Sequence, residues 1–93
     1  FVLGEWAAMA LVANLTSLLP VGVIGVKGEF VRGEVVSCLT EDGCEIARGL
    51  VNYSSDDASR ILRAHTEEIE ERLGYMEQPE MIHRDNMVVL AGE

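Results

Sequence analysis

Arg32 to Ser55 reads RGEVVSCLTEDGCEIARGLVNYSS, and this run decides the fold. Two apolar stretches, Val35 to Leu39 and Ile46 to Val51, flank the turn residues Glu41-Asp42-Gly43. An Asp-Gly pair between strand-like runs is a strong hairpin signal, because glycine accepts the positive φ that such turns need. With Asp42-Gly43 as a two-residue loop, Cys38 faces Ala47 and Cys44 faces Glu41. That register predicts two reduced thiols rather than a cross-strand disulfide. Ser54 then starts a helix: its hydroxyl can cap, Asp57 completes a variant of the capping box, and Asp56 and Asp57 suit the positive end of the helix dipole.

Upstream, Trp6, Met9, Ala10 and Ala13 recur at helical spacing and predict a short helix over 4–13, with those residues as its buried face and Trp6 in the core. A surface for Trp6 against a further domain is the alternative. Pro20 and Gly22 end the helical pattern and make 14–22 a loop. Val23 to Val26 reads as a strand. Downstream, Thr66 is a second N-cap candidate, with Ile69 and Leu73 pointing inward and Gly74 as the stop. Met81-Ile82-His83 and Met87 to Leu90 supply closing strand material around Arg84-Asp85-Asn86. Composition and periodicity together predict an α+β, mainly β chain, without choosing a topology.

The charge balance constrains function. Seven basic residues against sixteen acidic ones give a formal net charge of −9, which opposes binding to a phosphate backbone at long range. The first stretch is apolar, but it carries Glu5, lacks a basic leader and is too short to span a membrane. The expectation is a cytoplasmic protein with no membrane partner. Phe1 in place of a start methionine predicts a fragment of a longer chain. Cys38, Cys44, His65 and His83 lack the paired spacing of a zinc site, so no metal is expected.

The pattern G-E-x-V, then D-G-x-E-I-A-R-G-L-V, then Y-S-S resembles the PUA domain, a small β-barrel module. The segments SLLPVGV (Ser17 to Val23), EIEERLGY (Glu68 to Tyr75) and MIHRDN (Met81 to Asn86) are similar to the PUA domain at the C-terminus of the glutamate 5-kinase family. The resemblance covers roughly Ala7 to Leu90. It implies a mixed-sheet pseudobarrel with short peripheral helices, spanning 1–93 as one PUA domain. It also implies a parent enzyme that phosphorylates the side-chain carboxylate of glutamate with ATP and magnesium, in the first step of proline biosynthesis. On this expectation the catalytic amino-acid-kinase domain lies elsewhere in the parent chain. The 93-residue domain itself holds no cofactor, no metal and no catalytic residue, and serves structure or regulation. The kinase domain is its expected partner, with a homo-oligomer left open.

An RNA-binding module, free-standing or attached to another enzyme, is the alternative function. The residues that would form an RNA or interdomain surface are Thr16, Ser17, Lys27, Arg32, Arg48 and Arg84. In glutamate 5-kinases the loop before Ser17 typically carries Gly-Lys. Leu15-Thr16 stand there instead, which removes a cation and a flexible residue from any phosphate contact. His83-Arg84-Asp85 spells the catalytic-loop triplet of protein kinases, but the glycine-rich loop and magnesium ligands of that chemistry are missing. A charge pair or turn cap between Arg84 and Asp85 is the expected role. Gly22, Gly25 and Gly28 do not match a phosphate-cradling motif and suit turns and close packing. The acidic segment Glu67 to Arg72 reads as a solvated helix face with Glu68 and Arg72 paired one turn apart.

Overall fold

The hairpin forms in the register that its apolar pattern dictates. In the computed structural model, which describes residues 1–14, 16–76 and 78–90, strand β3 (Val35–Leu39) pairs antiparallel with β4 (Glu45–Leu50), and Cys38 faces Ala47. Side chains alternate as a half-buried strand requires: Val36 and Cys38 point inward, while Val35 and Ser37 face out. The turn itself differs from a two-residue loop. The Gly43 N–H donates to the Thr40 carbonyl and the Thr40 N–H to the Cys44 carbonyl, both at 2.9 Å. Cys44 therefore faces Thr40 rather than Glu41, and the register shifts between Cys38 and Leu39. Gly43 supplies the left-handed residue, at φ 90°, of a type I turn closed by a bulge. Both cysteines are free.

The two chain ends complete the sheet around this hairpin. Strand β1 (Val2–Leu3) lies parallel to β3 and antiparallel to β2 (Val23–Gly25), while β5 (Met87–Val89) lies antiparallel to β4. The order is β2-β1-β3-β4-β5, a mixed five-stranded sheet. An isolated bridge between Leu18 and Ile82 ties the loop after the first helix to the C-terminal segment. Buried Leu3, Leu11, Leu18, Tyr53, Ile61 and Ile69 lie in one continuous core. Phe1 meets Phe30 edge to face at 5.5 Å.

Helix α1 (Glu5–Asn14) corrects the expected orientation. Ala8 and Leu11 are its buried residues, whereas Trp6 is 85% and Met9 57% exposed. The reason is close approach. A Cβ at Gly22 would stand 2.5 Å from Ala7 Cβ, so the side facing the 3-10 turn Pro20–Gly22 takes small residues. Leu11 fills the core beyond them, and the bulky Trp6 and Met9 are turned outward. Helix α2 (Ser55–Arg60) is capped as expected by Ser54, whose Oγ accepts from the Asp57 N–H at 3.2 Å. The Asp57 carboxylate accepts from the Tyr75 hydroxyl. In α3 (Thr66–Leu73) the N-cap is His65, not Thr66. Glu68 Oε1 accepts from the His65 N–H at 3.0 Å, the carboxylate arm of a capping box. Gly74 ends α3 at φ 82°.

Gly49 admits no side chain. A Cβ there would meet Ile82 Cγ2 at 2.6 Å and the Asn86 carbonyl oxygen at 2.7 Å. Gly49→Ala should therefore lower unfolding free energy by about 1–3 kcal/mol through overpacking. A urea titration checks this, and an unchanged midpoint would show that the C-terminal segment yields freely.

Cys38 is fully buried, and burial pushes its thiol up to about 11, aided by Glu45 and opposed by the N-terminal amine. The folded state thus holds its proton more tightly than the unfolded chain. This contribution is complete below the ordinary thiol value of 9.0 and lost as pH rises to about 11. Urea midpoints should fall across that window, and the Cys38→Ala chain should show a flatter alkaline limb.

Candidate functional site

Two regions bear on function: the loop where the sequence places a contact surface, and the outer face of α1. The loop begins after Asn14, and Leu15 lies outside the described residues. Thr16 is exposed and Ser17 half-buried. Ser17 Oγ accepts from the Arg84 N–H at 2.9 Å, so Ser17 and Arg84 are brought together at the junction of loop and C-terminal turn. The bridge beside them, with the Leu18 N–H on the Ile82 carbonyl at 2.9 Å, holds that junction in place. His83 Nδ1 accepts from the Asp85 N–H at 3.1 Å and caps the 3-10 turn Arg84–Asn86. The HRD triplet is thus built into a turn, with His83 as the cap in place of an Arg84–Asp85 pair.

The remaining candidate cations stand on other elements. Lys27 is exposed just past β2, beside Gly28 at φ 79°. Arg32 is exposed in the segment leading to β3. Arg48 projects from the outer face of β4, where Nε and Nη2 donate to Glu45 at 2.7 and 2.9 Å. Ser37 Oγ donates to the same carboxylate from β3 at 2.5 Å. The bidentate Arg48 contact and then the Ser37 hydroxyl hold the Glu45 carboxyl down at about 2. Other arginines serve the scaffold: Arg60 donates to the Arg72 carbonyl, and Arg72 donates to the Leu62 carbonyl and to Glu68. These bonds join α2 to α3 and realise the expected Glu68–Arg72 pair.

The helical periodicity placed the second region in the core, with a surface for Trp6 as the alternative, and the structure takes the alternative. Trp6 and Met9 stand out from α1, with exposed Leu19 and Val21 nearby in sequence to the turn it packs on. Two grooves flank the helix. One is lined by Ala8, Met9, Val12, Ala13, Thr40 and Ile46, almost wholly apolar in its residues. The other runs past Trp6, Val21, Ile24, Glu41 and Arg63. Glu5 and Asp42 border the helix on the hairpin-turn side. Arg63 sits at φ 58°, held there by its N–H on the Pro20 and Val23 carbonyls at 3.0 and 3.1 Å. The signal in the sequence was the run Trp6 to Ala13, which has no polar face at all. A helix apolar all round asks for cover on both sides.

Among the described residues no cluster of three or more His, Cys, Asp or Glu is placed to hold a metal ion, and no helix is long and apolar enough to cross a membrane. The geometry offers adhesive surfaces. A family model for the PUA domain matches residues 2–73. The chain belongs to the PUA domain family. Among its curated relatives, a glutamate 5-kinase from Laribacter hongkongensis is 58% identical over 89 residues, which cover 96% of this chain and 24% of that protein. A glutamate 5-kinase from Chromobacterium violaceum is 59% identical over 88 residues, or 95% of this chain and 24% of that protein. The PUA domain thus spans about a quarter of the length of these relatives. The crystal structure of a PUA domain from Aeropyrum pernix, a tartrate complex, superposes with a TM-score of 0.67 at 24% identity, covering 99% of this chain and 42% of that one. That likeness bears on the fold alone.

The Glu45 cluster predicts a pH dependence. Its folded-state carboxyl lies near 2, below the ordinary 4.5. Its contribution is therefore present above about 4.5 and is lost as pH falls toward 2. In an acid titration followed by circular dichroism, Glu45→Gln should flatten the loss of stability through that window. An unaltered acid limb would show that the cluster contributes nothing.

Proposed function

We propose that this PUA domain is the C-terminal module of a glutamate 5-kinase. The parent enzyme transfers the γ-phosphoryl of ATP to the side-chain carboxylate of glutamate, with magnesium, in the first step of proline biosynthesis. ATP and magnesium belong to an amino-acid-kinase domain of the parent chain, in the cytoplasm. The PUA domain contributes structure, assembly or regulation. One observation carries this reading: 58% identity across 96% of the chain to a quarter of a glutamate 5-kinase. The packing of Gly22 against Ala7 agrees with it, since that glycine is closed by a helix rather than open toward a phosphate.

The RNA-binding alternative asks for free cations beside the first loop. Arg84 stands beside that loop, but Arg48 is engaged by Glu45 on the hairpin, and Arg60 and Arg72 are tied into the α2–α3 junction. Those engagements, with a net charge of −9, favour the metabolic reading.

Phosphoryl transfer provides the test. The 93-residue chain is expected to show no glutamate-dependent ATP turnover, and the full-length parent protein is expected to show it. Turnover by the chain alone would overturn the division of labour. An inactive parent would overturn the assignment. In the same preparation, tight and steeply salt-dependent binding of structured RNA would favour the alternative.

A further inference from the structure

Helix α1 is apolar on both sides, yet the domain covers only one. Ala8 and Leu11 are buried, while Trp6 at 85% and Met9 at 57% exposure stand bare. Tryptophan at this exposure is costly to leave in water and is the residue type most enriched at the energetic centres of interfaces. The flanking grooves give a partner relief to grip: one is lined by Met9, Val12 and Ile46, the other by Trp6, Val21 and Ile24. The charges around them are Glu5, Glu41 and Asp42, against Arg63 alone.

We infer that the outer face of α1 is the docking surface for the amino-acid-kinase domain of the same chain. Trp6 and Met9 are its anchors. This rests on the proposed parent enzyme. The length of the relatives outside this domain selects that occupant. About three quarters of the length of the glutamate 5-kinase relatives lies outside this domain, which matches only 24% of it. A domain carried on the same polypeptide through a short flexible linker meets this face at an effective concentration on the order of millimolar, enough to seat a modest interface. The acidic rim defines the partner's chemistry: an apolar pocket that receives an indole, flanked by Lys or Arg opposite Glu5, Glu41 and Asp42. A nucleic acid fits poorly, since the same three carboxylates repel phosphate.

Hydroxyl-radical footprinting of the full-length protein, read by mass spectrometry, tests this with an internal reference. In the domain alone Met9 is more exposed than Met76, at 57% against 37%. Docking reverses that order, so Met9 should be oxidised more slowly than Met76, with Trp6 also protected. The Trp6→Lys variant should lose the protection at Met9 while keeping the domain folded, because Trp6 supports no core contact that its exposure would allow. Met9 reacting faster than Met76 would overturn the inference. Protection that disappears on dilution would assign the face to a second copy, and protection removed by nuclease would assign it to RNA; either result overturns it. Glutamate-dependent ATP turnover is measured on the same sample. With turnover present, a bare Met9 overturns only the docking; without turnover, the parent assignment itself fails.

Discussion

Ile82 Cγ2 and the Asn86 carbonyl both occupy space that a Cβ at position 49 would need, at 2.6 and 2.7 Å. Much of the closure of the fold follows from that vacancy. Because β4 is bare at Gly49, the C-terminal segment lies directly on it, and Met87 pairs with Gly49 at the start of β5. The same approach carries Ile82 to Leu18 and the Arg84 N–H to Ser17. Asn52 is drawn in as well, its N–H on the Met81 carbonyl at 2.8 Å and its side-chain amide on the Glu80 carbonyl at 3.0 Å. A single missing side chain on the central hairpin thus lets the chain's last quarter seal the loop that follows its first helix.

Electrostatics divides the surface in a way that net charge does not reveal. The domain is strongly acidic, yet Arg60 and Arg72 join α2 to α3, and Arg48 is held by Glu45 on its own strand. Exposed pairs of this kind contribute little each, and their value here is geometric. The Glu45 carboxylate links the two hairpin strands, accepting from Ser37 on β3 and from Arg48 on β4. Arg72 reaches back to Leu62 and fixes the angle between α2 and α3. A chain that commits its arginines to such roles has few left to neutralise phosphate.

The hairpin was legible from the sequence because two independent signals agreed, Asp-Gly at the turn and apolar strand-like runs on either side, and the turn position implied the Cys38–Ala47 register. The bulge was not legible, since a two-residue and a bulged turn both place glycine at positive φ and differ only in which backbone groups pair. The Ser54 cap was readable from a local motif. The His65 cap was not, because Thr66 follows it directly and is the better intrinsic capper; the carboxylate of Glu68 reaching the His65 N–H at 3.0 Å settled the boundary one residue earlier. Of the candidate contact residues, Ser17 and Arg84 meet only through a backbone N–H of Arg84, which no side-chain pattern encodes.

Helix α1 marks the limit of pattern reading in a different way. Periodicity identifies a buried face by contrast with a polar one, and Trp6 to Ala13 offers no contrast. Two stripes compete, and size breaks the tie: Ala7 fits against Gly22, where even an added Cβ at position 22 would stand 2.5 Å from the Ala7 Cβ, and Trp6 and Met9 do not. The missing polar face also carries information. A helix that solvent alone covered would gain from polar residues at positions 6, 9 and 13, and none stands there. What made the inner face ambiguous is therefore the same property that gives the outer face its meaning as a contact surface.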